Sequence, residues 1–124
     1  MREAAILINI WGCGIFQHHP ENASVIAIPD NKTFWDFIWE NREQVAGIAH
    51  SHPGNGETWY SKEDMTTFAA IEESLGKRLY WPIVTSDSLS TFGWLGPNRY
   101  DYDLVKDHID NNFWIDELRR ISGY

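Results

Sequence analysis

The sequence predicts an α/β fold, a mixed β-sheet flanked by helices, in a single domain spanning residues 1–124. Short apolar runs bounded by Gly, Pro, Asn or Ser, such as 4–11, 45–50 and 89–95, read as strands. Amphipathic stretches interleaved with them read as helices, and strands alternating with helices imply a sheet covered by helices. A chain of 124 residues with 43% hydrophobic content and seven tryptophans is long and apolar enough to bury one core.

Residues 4–11 and 13–17 are the first two expected strands and 24–28 another, with turns at 20–22 and 29–31 where Pro and Asn gather. A helix follows. Thr33 to Asp36 has capping spacing, and Phe34, Phe37 and Ile38, with Val45 a further candidate, supply the apolar stripe. Residues 45–50 form a buried strand. The helix over 62–75 opens with Ser61-x-x-Asp64, carries Met65, Phe68, Ala69, Ile71 and Leu75 along one face, and stops at Gly76, a favourable C′ residue. Strands at 78–85 and 89–95 flank a turn at 86–88, and Pro82 implies an edge or a bulge. Residues 100–104 add a strand and 113–121 a closing amphipathic helix.

Composition excludes several functions. The formal charge of −8, with ten scattered Lys and Arg, disfavours nucleic acid and favours neutral or basic partners. Cys13 stands alone, which rules out a disulfide framework and a Cys-based zinc ribbon; its simplest role is a small buried apolar residue in a reducing, cytoplasmic setting. No apolar run is long enough to span a membrane, and Glu3 and Asn9 break the layout of a signal peptide. Trp114 and Tyr124 leave room for an aromatic surface and a homodimer contact.

The chemistry concentrates at His50-Ser51-His52-Pro53. Side chains alternate along a strand, so His50 and His52 project to one side and Ser51 to the other. Pro53, Gly54 and Gly56 end the strand in a loop, and Ser61-x-x-Asp64 then starts a helix, where Asp64 is either a capping residue or a third ligand. Two imidazoles and a carboxylate are a common set for catalytic Zn²⁺, with the fourth position open to water. His18, His19 and His108 read as ordinary polar residues. Trp59 and Tyr60 precede Ser61 and serve either to clamp an extended substrate or to anchor the loop.

His50-x-His52-Pro53 with Ser61-x-x-Asp64 resembles the signature of the JAMM (MPN+) zinc metallopeptidases, which include deubiquitinating isopeptidases and prokaryotic relatives. The likeness runs from Glu3 to about Leu95, and the segment between His52 and Ser61 is one residue longer than usual for the family. It implies a JAMM/MPN-like, cytidine-deaminase-like fold. Glu3, before the first strand and its closing Gly12, is similar to the family's general base; Ser61 corresponds to the serine that donates to the developing oxyanion. Glu21, Glu40, Glu43 and Glu57 are alternative bases. The implied reaction is hydrolysis of an amide or isopeptide bond at the C-terminal tail of ubiquitin or a ubiquitin-like protein. A peptidase acting on a ubiquitin-like sulfur carrier and a non-catalytic MPN-type scaffold are the alternatives. A zinc deaminase lacks its Pro-Cys-x-x-Cys half here, and His-Glu-x-x-His is absent.

Overall fold

The computed structural model describes residues 4–11, 13–18, 32–52, 60–86, 88–105 and 113–122. Their element order is β1 (Ala5–Asn9), β2 (Gly14–His18), α1 (Lys32–Glu40), β3 (Val45–Ser51), α2 (Lys62–Leu75), β4 (Trp81–Val84), β5 (Leu89–Trp94), β6 (Tyr102–Leu104) and α3 (Phe113–Ser122). The expected mixed α/β architecture is present. The expected strand at 24–28, Glu3, Gly12, the 53–59 loop with Glu57 and Trp59, Glu21, His19, His108 and Tyr124 lie outside the described residues.

The six strands form one sheet in the order β2-β1-β3-β4-β5-β6. The β3–β4 pair is parallel and the other pairings are antiparallel. A parallel pair needs a crossover, and α2 lies in the connection between its strands.

Alternation along β1 divides the interior. Ala5 and Leu7 pack with Phe34 and Ile38 of α1 and with Phe68, Ala69 and Ile71 of α2. Ala4, Ile6 and Ile8 pack with Trp114, Ile115 and Leu118 of α3. The single core expected from length is therefore split by the sheet into two clusters, because β1 buries both of its faces. Trp114 belongs to the second cluster at 3% exposure, which corrects its assignment to an aromatic contact surface.

Local departures from expectation have local causes. The first strand stops at Asn9, whose Oδ1 accepts the N–H groups of Trp11 and Cys13, both at 3.0 Å, and turns the chain. Cys13 sits in that turn and is exposed rather than buried. Thr33 is the second residue of α1. Val45 belongs to β3 and shares the α1–α2 cluster from there. Pro82 lies in an interior strand, not at an edge: the β3–β4 register is continuous at His50↔Ile83 and Ser51↔Val84 but resumes earlier only as an isolated Gly47↔Tyr80 bridge. Proline has no N–H to donate there. Gly47 is required at that bridge, since a Cβ would stand 2.8 Å from the Tyr80 carbonyl oxygen. Helix α2 matches its expected bounds and ends at Gly76 in the left-handed region, φ 69°.

Candidate metal centre

β3 is clamped between β1 and β4, so its C-terminal end is a rigid platform. Ala5 pairs with His50, and Ser51 N–H donates to the Ala4 carbonyl at 3.0 Å. The next residue, His52, donates its backbone N–H to the Val84 carbonyl at 2.9 Å. The two imidazoles leave this platform on one side, as alternation requires. Ser51 points the other way, where its Oγ accepts the Ala4 N–H at 2.9 Å and lies 2.7 Å from the Ser122 hydroxyl on α3.

Asp64 arrives from the start of α2. Ser61 is the N-cap: its hydroxyl accepts the Asp64 N–H at 3.0 Å, and Asp64 Oδ2 accepts the Ser61 N–H at 2.9 Å. This reciprocal pair is a capping box with Asp in the place more often held by Glu. The helix N-terminus also favours a negative charge in its first turn. Accepting the Asp64 N–H leaves the Ser61 hydroxyl its own proton to donate, and Ser61 is exposed.

The three candidate ligands converge. His50 Nε2 and His52 Nε2 are 3.1 Å apart, His52 Nε2 lies 3.0 Å from Asp64 Oδ2, and His50 Nε2 lies 3.3 Å from Asp64 Oδ1. Among the described residues this is the group of His, Cys, Asp and Glu side chains arranged to hold a metal ion. The two imidazoles face the two oxygens of one carboxylate, and one ligand atom from each residue lies within 4.8 Å of the others, a spacing that a single ion can bridge. His50 is 2% exposed, against 17% for His52 and 15% for Asp64, which leaves one side of the cluster open to solvent. The rings meet at 62° with centroids 4.9 Å apart, and Phe68 backs His50 edge-on at 6.2 Å.

Burial by itself raises the Asp64 pKa. The hydrogen bonds from His50 and His52, attraction to His50 and the Ser61 N–H outweigh it and hold the carboxyl far below the usual range. Asp64 is thus a carboxylate at any ordinary pH, the form a metal requires. Two Nε2 atoms 3.1 Å apart need a proton or a cation between them, and a divalent ion could take that place and face the carboxylate as well.

Sequence reading overlooked a second polar centre. Glu72 is 3% exposed, yet its carboxylate accepts from Leu79 N–H at 2.8 Å, Trp81 Nε1 at 3.0 Å, Arg78 at 3.0 Å and the Tyr102 hydroxyl. It ties the C-terminal half of α2 to the approach of β4 and to β6. The signal was present, because Glu72 follows Phe68 by four positions and so falls on the helix's buried face. Tyr60 is half-buried with its hydroxyl donating to the Tyr102 carbonyl at 2.8 Å, which supports the loop-anchor alternative for that residue. The 85–88 turn is gripped from α3, where Arg119 donates to the Thr85 carbonyl at 2.9 Å.

No family model matches this chain and no curated protein matches it. Among the described residues, no helix is long and apolar enough to cross a membrane.

Proposed function

We propose that this chain is a zinc-dependent hydrolase of the JAMM (MPN+) type, cleaving an amide or isopeptide bond at the C-terminal tail of ubiquitin or a ubiquitin-like protein. One observation carries the proposal: His50, His52 and Asp64 each bring a ligand atom within 4.8 Å of the other two, with the imidazoles 3.1 Å apart at Nε2 and facing the two oxygens of one carboxylate. The order of strand, loop and capped helix in the motif lends the family reading its support.

His50, His52 and Asp64 are the residues that would hold Zn²⁺. Zinc held there would supply Lewis acidity that makes water nucleophilic at neutral pH. The remaining work falls to the chain. Glu3 is assigned the proton transfers, from the attacking water and then to the leaving amine nitrogen. It directly precedes Ala4, which is tied at both its N–H and its carbonyl to Ser51, so the strand start is held against the histidine strand. The Ser61 hydroxyl donates to the oxyanion that forms as the carbonyl is attacked.

The test is metal analysis of the purified protein, followed by cleavage assays on ubiquitin-like fusions and isopeptide conjugates with chelator and with zinc restored. The expected result is one zinc per chain and cleavage that chelator abolishes and zinc returns. A metal-free protein that stays inactive with added zinc overturns the hydrolase and leaves a non-catalytic scaffold.

A further inference from the structure

A carboxylate ligand is only as well placed as the groups that stop it rotating. The terminal torsion of Asp is broad, so packing alone does not select one orientation. For Asp64 the selecting bond is the Ser61 N–H to Oδ2, at 2.9 Å. Ser61 itself is exposed, as is Lys62 after it. Its extended backbone (φ −84°, ψ 173°) sits where the chain has just left the loop. What secures it is the residue before it. Tyr60 meets Phe92 edge-on at 4.9 Å and 88°, meets Phe68 at 6.1 Å, and donates its hydroxyl to the Tyr102 carbonyl at 2.8 Å. Phe68 is also the ring behind His50, so one aromatic side chain is the common reference for His50 and for the segment that aims Asp64. The acceptor is fixed in turn, because the Tyr102 hydroxyl is bound to the buried Glu72 carboxylate.

We propose that Tyr60 is a positioning residue for the metal centre, its hydroxyl and ring fixing Ser61 so that the Ser61 N–H turns the Asp64 carboxylate towards His50 and His52. This rests on the metal reading above. Groups that orient metal ligands typically contribute 10–100-fold to metal affinity. Tyr60 meets Phe68 and Phe92 and is bound to Tyr102, and it acts on Asp64 through the Ser61 backbone.

The experiment measures the Zn²⁺ dissociation constant by chelator competition, the visible spectrum of the Co²⁺-substituted protein, and urea unfolding of the metal-free protein. Tyr60→Phe is expected to weaken zinc binding at least about tenfold and to alter the cobalt bands. Ser61→Pro, compatible with φ −84° but lacking the N–H as well as the cap hydroxyl, is expected to weaken zinc at least as much, and more than Ser61→Ala, which lacks only the hydroxyl. Phe34→Leu, in the core under α1, is expected to lower the urea midpoint while leaving the zinc constant at the wild-type value. If Tyr60→Phe and Ser61→Pro both keep the wild-type zinc constant and cobalt spectrum, Tyr60 is only a loop anchor and the proposal is overturned. A wild-type protein that binds neither zinc nor cobalt overturns the metal reading itself, a different result from wild-type binding that the variants leave unchanged.

Discussion

Asp64 Oδ2 stands 3.0 Å from His52 Nε2 while accepting the Ser61 backbone N–H at 2.9 Å. The oxygen that closes the capping box is thus also the one that faces His52, so capping and proximity to the imidazoles do not exclude each other. A carboxylate that reaches back to its N-cap points off the end of the helix, and here that end overhangs the last residues of β3. The site thus lies beyond the carboxyl end of a strand in a parallel pair, where α/β sheets commonly bind ligands.

Asp64→Asn separates the two roles. The amide oxygen still accepts the Ser61 N–H, so stability is expected to fall by no more than about 1 kcal/mol, whereas a neutral amide is a poor zinc ligand. Zinc content should drop well below one per chain, and with zinc removed from both proteins their melting temperatures should differ little. Stoichiometric zinc in Asp64→Asn would remove it from the ligand set.

Ser61→Ala takes away the cap hydroxyl and keeps the N–H that orients Asp64. Zinc should remain bound, stability should fall by about 1 kcal/mol, and turnover should fall by roughly 10²–10³-fold for loss of an oxyanion donor. Unchanged turnover would reduce Ser61 to a cap.

Glu72→Gln disturbs a buried carboxylate that serves four donors. The amide brings its own N–H groups against those donors and loses the charge facing Arg78, so urea unfolding should show a loss of about 2–4 kcal/mol. A change under about 0.5 kcal/mol would show that the centre contributes little.

Tyr102 gives a base-side signature. Burial, then the hydrogen bond and charge of Glu72, push its hydroxyl well above the ordinary tyrosine value, with Arg78 opposing. The folded state therefore keeps this proton where the unfolded chain releases it. Its contribution to stability is complete below pH ~10 and is lost as pH climbs above that towards the folded-state value. Tyr102→Phe is expected to be less stable at neutral pH and to show a shallower decline across the alkaline range. Parallel stability curves for the two proteins would contradict this.

Much of the site was legible because its determinants are local. Alternation along a strand sets the directions of His50, Ser51 and His52, and the Ser61–Asp64 spacing sets a helix start; both depend on a few neighbouring residues. The bounds of α2, from cap to Gly76, were readable for the same reason. Elsewhere local rules were overridden. Pro82 reads as marking an edge or a bulge; the strand is interior, and the proline is accommodated where the ladder with β3 is interrupted. Trp114 and Cys13 exchanged expected environments, since the amphipathic period of α3 does not say which face meets the sheet, and Cys13 falls in a turn made by the Asn9 side chain.

The sequence by itself determined most of the described elements, the shared side of the two histidines and the capped helix that follows them, all consequences of backbone geometry over a few residues. Only the tertiary structure decided that Asp64 closes on both imidazoles, that Glu72 is a buried hub and that Tyr60 is bound to Tyr102. Those contacts join residues far apart in the chain, and their geometry depends on how α2 seats on the sheet, which no local pattern encodes.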